Sequence, residues 1–154
     1  MTGSLLLTRN LQAPFPEPQW PPGVVLSSFH EEDAPACHVL LLRGYAEGGG
    51  EISASFDEWW RATASDPEFD PELLFLAKTS DGVLAGLALC WTSGFVKDIV
   101  VEPAHRRQGV GEALLLEAFG VLQRRGHSRI GLKLPSDSPY GARRLYDRLG
   151  FVLG

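Results

Sequence analysis

The sequence predicts a single α/β domain built around a mixed β-sheet. Apolar runs of strand length alternate with segments of helical periodicity in the order β-α-α-β-β-β-α-β-α-β. The 154 residues are 44% hydrophobic and contain no long low-complexity tract, which suits one domain with a sizeable core. In the second half, a basic, glycine-bearing turn joins an apolar strand to a helix.

The first 23 residues are predicted to be an arm or linker, and residues 24–154 the folded domain. A short apolar run, Leu5–Leu7, is followed by the segment P-F-P-E-P-Q-W-P-P-G. Prolines cannot donate hydrogen bonds to a β-ladder, and they bias the preceding residues toward extended conformations.

The first half is predicted to hold a strand, two helices and a hairpin. Val24–Ser28 is the strand, and Glu32–Tyr45 is a helix that glycines follow. Ser55 is predicted to cap a second helix at Phe56–Ala64. The apolar runs Leu73–Lys78 and Val83–Thr92 are separated by T-S-D-G, a sequence typical of a hairpin turn.

The second half predicts strands and helices in alternation. Phe95–Val101 reads as a strand, and Gly109–Arg125 carries apolar residues at helical spacing. A further strand is predicted at Ile130–Leu134 and a further helix at Tyr140–Leu149. A glycine directly follows each of these two helices, as expected at helix ends.

The turn between strand and helix, V-E-P-A-H-R-R-Q-G-V-G at 101–111, has the composition of an anion site. Gly109 and Gly111 lack side chains where a ligand must approach the backbone, and the helix start presents unpaired N–H groups. Arg106 and Arg107 add positive charge. A tight turn with an arginine-rich rim is the competing interpretation. Neither the nucleoside triphosphate loop nor G-x-G-x-x-G matches.

The segment R-R-Q-G-V-G at 106–111 resembles the [QR]-x-x-G-x-[GA] signature of the GNAT superfamily of N-acetyltransferases. The strand D-I-V-V-E-P precedes it, and A-R-R-L-Y-D-R-L-G-F at 142–151 is similar to that family's last motif. The likeness spans residues 83–154 and is less specific upstream. It implies a GNAT-like fold with a mixed central sheet flanked by helices, and acetyl-coenzyme A as cosubstrate.

The resemblance also implies which residues bind the cosubstrate. The pantetheine arm would lie beside the backbone of Ile99, Val100 and Val101, with one N–H polarising the acetyl carbonyl. An ordinary buried strand explains their apolar character equally well. The pyrophosphate would be held by the turn, whose residues are Arg106, Arg107, Gln108, Gly109, Val110 and Gly111.

Two residues are the predicted catalytic groups. Tyr146 lies where many family members place the tyrosine that protonates the departing thiolate, although a half-buried helix aromatic is an alternative. Pro139 stands where the family usually has an asparagine, so no side-chain contact is expected there. Asp98 is the best-placed carboxylate for a general base, and a surface strand-end charge paired with Lys97 or an arginine is an equally common interpretation. Glu102 and His105 are weaker candidates for the base.

The predicted function is transfer of an acetyl group to a primary amine of a small molecule or peptide. Direct transfer is favoured because the one cysteine near the site, Cys90, lies in an apolar strand that raises a thiol's pKa. The rival interpretation is a non-catalytic acyl-coenzyme A sensor or interaction module. Four aromatics either line an acceptor cleft or belong to the core: Phe56, Trp59, Trp60 and Trp91.

Charge and cysteine usage limit the partners. Residues through Val96 hold 4 basic and 13 acidic side chains, a charge of −9, and the remainder hold 10 and 6, a charge of +4. A basic C-terminal half matches an anionic cofactor, while the net charge of −5 argues against nucleic acid. Two distant cysteines without metal-ligand spacing and no long apolar run predict a cytoplasmic protein with no metal and no membrane contact.

The end of the chain departs from the family pattern. The family usually adds a strand after the G-F of its last motif, whereas this sequence stops at Gly154. Leu5–Thr8 is predicted to fill that edge, either in its own chain or in a partner, since bare apolar edges invite pairing. A homodimer is compatible with this prediction.

Overall fold

The computed structural model describes residues 3–48, 51–135 and 142–154. Seven strands form one mixed sheet in the order β2-β3-β4-β5-β6-β1-β7. Of the described strand pairs, β5 with β6 is parallel and the others are antiparallel. The strands are β1 (Ser4–Asn10), β2 (Val24–Ser27), β3 (Leu74–Thr79), β4 (Leu84–Trp91), β5 (Phe95–Val101), β6 (Arg129–Pro135) and β7 (Val152–Leu153).

Helices cover both faces of this sheet. One face packs against α1 (Ala34–Gly48) and α2 (Phe56–Ala64), and the other against α3 (Val110–Arg124) and α4 (Ala142–Arg148). Within the described parts of the chain, no helix combines the length and apolarity needed to cross a bilayer.

The strand sequences feed two separate cores by simple alternation. In β3, Leu74 and Leu76 belong to the core under α1 and α2, whereas Phe75 and Ala77 belong to the core under α3. The second core is dominated by the apolar stripe of α3, whose buried members include Val110, Leu114, Leu115, Ala118, Phe119 and Leu122. The central strands are therefore held from both sides.

Several local predictions are confirmed. The bounds of α2 and β5 are those predicted, and Ser55 caps α2 by accepting a hydrogen bond from the Glu58 N–H at 3.2 Å. The first helix is displaced toward the C-terminus, because Glu31–Asp33 forms a separate 3-10 turn ahead of α1. The predicted start of the last helix, Tyr140, lies outside the described residues.

The N-terminal segment differs most from the prediction of an arm. Ser4–Asn10 is the strand β1, which pairs with β6 over seven residues and with β7 on its other side. Of the two alternatives for Leu5–Thr8, the structure shows pairing within its own chain. The strand that the family usually adds after its last motif is present in short form rather than missing, since Val152–Leu153 is the strand β7.

Candidate active site

A cleft opens where β5 and β6 separate. The two described strands pair only at Phe95–Gly131 and Val96–Leu132, and diverge beyond these residues. The space between them is a cleft of ≈ 1440 Å³, walled by β5, β6, the start of α3, and α4. This volume exceeds the roughly 300–1,000 Å³ of pockets for drug-sized ligands, so a larger ligand fits.

The floor of the cleft is the edge of β5 that β6 has left. The Glu102 N–H, directly after β5, donates to the carbonyl oxygen of Ala85 in β4 at 2.8 Å, which shows which residues of β5 direct their backbone groups to β4. The backbone groups of Val100 therefore point to β4, and those of Ile99 and Val101 point into the cleft. Of the three residues predicted to contact a pantetheine arm, Ile99 and Val101 present backbone groups to the cleft and Val100 does not.

The side chain of Val100 packs on the face of β5 that meets α1, whereas those of Ile99 and Val101 pack on the other face. Val100 packs directly against Gly44 of α1, where an added Cβ would lie 2.8 Å from Val100 Cγ1. Residue 44 thus allows α1 to approach β5 closely. This contact sets the position of the next residue, Tyr45, which lines the cleft.

The glycine-bearing turn lies at the other end of the cleft. Gly109, with φ at +92°, is the residue before α3, and the N–H groups in the first turn of α3 have no partner within the helix. Gly111 lies close to β5, since a Cβ there would be 3.5 Å from Val101 Cγ2. The turn thereby brings a helix N-terminus to the strand edge without intervening side chains, an arrangement suited to a phosphate.

Arg106 is engaged within the protein. Its Nε donates to the Val101 carbonyl at 3.1 Å, and its guanidinium pairs with Glu47 of α1 at 2.9 Å. Arg43, one turn earlier in α1, pairs with Glu102 at 2.8 Å. These two ion pairs fasten the turn to α1. A contact between Arg106 and a phosphate stays a prediction.

Other cations are better placed to meet an anion. Arg107, Arg144 and Lys133 line the cleft and have no ion-pair partner among the described residues. Of these three cations, the sequence analysis predicted a role for Arg107 alone. Arg144 lies in the A-R-R-L-Y segment already quoted, and Lys133 enters the cleft only through the divergence of β6. Gln108 is exposed and is the one predicted turn residue that does not line the cleft.

Asp98 lines the cleft beside Tyr45. Its carboxylate is 1% exposed, and it accepts hydrogen bonds from the Tyr45 hydroxyl and from Lys97 Nζ at 3.3 Å. Burial, then the neighbouring Asp98 charge, raises the pKa of Tyr45, so its hydroxyl stays a donor. Asp98 lines the cleft and is paired with Lys97, but it is buried and so is not the surface charge of the alternative interpretation. Its role as the general base stays a prediction.

Tyr146 enters the cleft from α4. Its side chain is buried, with a relative exposure of 6%, and its ring meets Phe151 edge to face. Burial raises the pKa of Tyr146 to about 12, which keeps the hydroxyl protonated at neutral pH. No described group hydrogen-bonds this hydroxyl, which leaves it available as a proton donor. Pro139, at the family's asparagine position, lies outside the described residues.

The aromatic residues of α2 belong to the core. Trp59 is buried and stacks on His38 with ring centroids 5.3 Å apart, and Trp60 packs on Phe29 at 5.7 Å. Neither these rings nor Phe56 lines the cleft. Trp91 lies apart from them, with Lys97 Nζ 6.0 Å from its ring centroid.

The architecture and the cleft can now be compared with known proteins. Residues 7–151 match the model of the acetyltransferase (GNAT) family. This chain belongs to the GNAT family. The predicted family and the predicted GNAT fold are therefore confirmed, and the GNAT match begins within β1, in the segment predicted as an arm.

The curated relatives are longer proteins than this chain. A mycothiol acetyltransferase of Clavibacter sepedonicus is 33% identical over 141 residues, which cover 88% of this chain and 45% of that protein. One from Thermobispora bispora is 32% identical over 159 residues, covering 95% and 52% respectively. The chain spans about half the length of these relatives.

Solved structures show the same fold. The GCN5-related N-acetyltransferase from Sphaerobacter thermophilus superposes with a TM-score of 0.84 at 30% identity, over 99% of this chain and 49% of that one. The ribosomal-protein-S18-alanine N-acetyltransferase from Escherichia coli gives 0.65 at 23% identity, over 84% and 77%, and shows the GNAT fold alone.

Proposed function

We propose that this chain transfers an acetyl group from acetyl-coenzyme A to a primary amine of a small molecule or peptide. The observation that carries the proposal is the cleft between the separated strands β5 and β6, which ends at the glycine-bearing turn before α3. The turn would hold the diphosphate through the N–H groups of α3, with Arg107 and Arg144 as flanking cations.

The strand edge supplies the electrostatic part of catalysis. The N–H groups of Ile99 and Val101 point into the cleft, where one of them would donate to the acetyl oxygen. Each well-aligned donor to a developing oxyanion is worth about 3–4 kcal/mol. Because these donors belong to the backbone of a sheet, their position does not depend on side-chain rotamers.

Two side chains would carry out the proton transfers. The amine attacks the acetyl carbon, and as the new C–N bond forms and the C–S bond breaks, Tyr146 gives its proton to the departing sulfur. Asp98 receives the proton that the amine loses. Each positioned proton transfer contributes roughly 10²- to 10⁴-fold in rate.

Direct transfer in a ternary complex is supported by the state of Cys90. This residue is fully buried in β4, and burial raises the pKa of its thiol to about 12. A thiol in that environment is a poor nucleophile. Both cysteines are free and buried, which is compatible with the proposed cytoplasmic location.

The acceptor is proposed by class. Because the relatives are named mycothiol acetyltransferases, mycothiol-related amines head the acceptor panel, followed by polyamines, aminoglycosides, amino acids and peptide N-termini. Release of free coenzyme A thiol would be followed for each acceptor.

The test combines binding with turnover. Coenzyme A should raise the melting temperature, as any ligand of the native state does. Tyr146→Phe and Asp98→Asn should each lower kcat by roughly 10²-fold with coenzyme A affinity retained. Asp147→Asn is the matched control, since Asp147 is exposed on α4 and, among the described residues, its carboxylate pairs only with Arg143. Binding with no transfer to any acceptor would favour the sensor instead, and no binding would overturn the proposal.

A further inference from the structure

The chain has three lysines, and only one lies beside the proposed base. Lys97 Nζ is 3.3 Å from Asp98 Oδ2, and its side chain lines the cleft while remaining 34% exposed. Lys133 also lines the cleft but has no carboxylate partner among the described residues, and Lys78 pairs with Asp33 at 2.8 Å, away from the cleft. The three lysines therefore differ sharply in surroundings.

The Lys97–Asp98 pair lies at an irregularity of β5. Leu89 pairs with Asp98 and the next residue of β4, Cys90, pairs with Val96, so Lys97 is an extra residue without a partner on β4. Such a bulge interrupts the alternation of side chains along the strand, which lets Lys97 Nζ lie 3.3 Å from Asp98 Oδ2 and 6.0 Å from the ring centroid of Trp91. Both Lys97 and Asp98 line the cleft.

This position lies within reach of the proposed acetyl site. Lys97 and Ile99 are two residues apart, about 6.6 Å along the strand, and both line the cleft. The Ile99 backbone faces the cleft, as shown above. A lysine side chain has a comparable length, so its nitrogen can approach a carbonyl polarised at Ile99.

We propose that Lys97 is the chain's own acceptor and is acetylated on Nζ when no external amine occupies the cleft. The inference rests on the proposed function. Asp98 takes a proton from the Lys97 ammonium, and the free amine attacks the thioester carbonyl. A C–N bond forms, the C–S bond breaks, and Tyr146 protonates the leaving thiolate. The nitrogen then gives its second proton to the Tyr146 phenolate, which leaves a neutral amide, free coenzyme A and a tyrosine restored to its starting state.

Uncatalysed acetylation by acetyl-coenzyme A would modify a different lysine first. Uncatalysed acetylation follows exposure, and Lys133 is exposed in the same cleft. Acetylation directed by Asp98 favours Lys97 despite its ion pair. The preference between Lys97 and Lys133 within one molecule is therefore diagnostic, and it needs no variant.

The experiment incubates the purified full chain with acetyl-coenzyme A, without acceptor, and maps acetylated peptides by mass spectrometry. We expect Lys97 to be modified at least about tenfold faster than Lys133, a fraction of what positioned proton transfer contributes. Lys97→Arg should abolish the main product, Lys78→Arg should leave it unchanged, and Asp98→Asn should reduce Lys97 to the rate of Lys133.

Equal modification of Lys97 and Lys133, or an unmodified Lys97, would overturn the inference. If external amines are acetylated while Lys97 stays unmodified, the inference fails and the proposed function stands. If coenzyme A does not bind, both fail. An effective acceptor added to the same reaction should suppress modification of Lys97, because both amines compete for Asp98.

Discussion

Arg9 Nε donates a hydrogen bond to the carbonyl oxygen of Leu149, 2.9 Å away and 140 residues later in the chain. The other guanidinium nitrogens donate to the carbonyls of Asn10, Ala13 and Pro14. Leu149 follows the end of α4, where carbonyl groups lack helical partners and a cation is favourable. The N-terminal segment thus holds the helix that carries Tyr146.

Replacing Arg9 should destabilise the protein strongly. Arg9→Met would leave one buried and three part-buried carbonyls without this donor. An unsatisfied buried group costs about 1–3 kcal/mol and water can reach the part-buried ones, so a total near 2–4 kcal/mol is expected. Urea unfolding measures the change. Arg129→Ala, at an exposed site on β6, is the control and should stay within about 0.5 kcal/mol. Equal effects of the two changes would contradict the role given to Arg9.

Deleting residues 1–12 should have a larger effect. The deletion removes β1, including fully buried Leu7, and leaves β6 and β7 without their shared neighbour. We expect a large fall in melting temperature or loss of soluble protein, because an apolar strand edge is exposed. Unchanged melting and unchanged size on gel filtration would show that β1 is dispensable.

Gly109→Ala separates backbone strain from ligand binding. Gly109 has a φ of +92° and Gly82, in the β3–β4 hairpin, has one of +83°, with no atom near an added Cβ at either position. Alanine at each should cost about 1 kcal/mol of stability. Only Gly109→Ala should also weaken coenzyme A binding, measured by calorimetry. Equal affinities of the two variants would exclude the turn as the diphosphate site.

Gly44→Ala should push α1 away from β5. The new Cβ would lie 2.8 Å and 2.9 Å from the two γ-carbons of Val100, and overpacking of this kind costs about 1–3 kcal/mol. The shift would separate Tyr45 from Asp98 and lower kcat. Adding Val100→Ala removes the clash, so the double variant should be more stable than Gly44→Ala alone. Failure of that rescue in thermal unfolding would refute the packing argument.

Cys90→Ala should change the stability of the protein at alkaline pH and leave its catalysis intact. The folded pKa of the Cys90 thiol is raised from 9.0 to about 12, so the stability contributed by the neutral thiol is present below pH 9 and is lost as pH rises toward 12. At a pH of about 10.5 the wild type should lose about 2 kcal/mol that Cys90→Ala does not lose. Turnover by Cys90→Ala should persist, and its abolition in a folded variant would contradict direct transfer.

Local signals account for the parts that were predicted well. The capping serine of α2, the apolar run of β5 and the helical spacing of α3 each act over a few residues, so their elements follow from the nearby sequence. The turn at Gly109 is equally local. Its neighbours α3 and β5 form the cleft with it because they are consecutive in the chain.

The sequence by itself determined the family, the order of the elements from β2 to α4, the turn at 106–111 and the candidates Tyr146 and Asp98. Only the tertiary structure decided what these groups contact. Tyr45 hydrogen-bonds Asp98, which is 53 residues away in the sequence. Glu47 pairs with Arg106 at a separation of 59 residues, and Arg9 hydrogen-bonds Leu149 at a separation of 140. Such contacts depend on which strands and helices become neighbours, and hydrophobic periodicity does not specify that pairing, since it reports only which face of each element is buried.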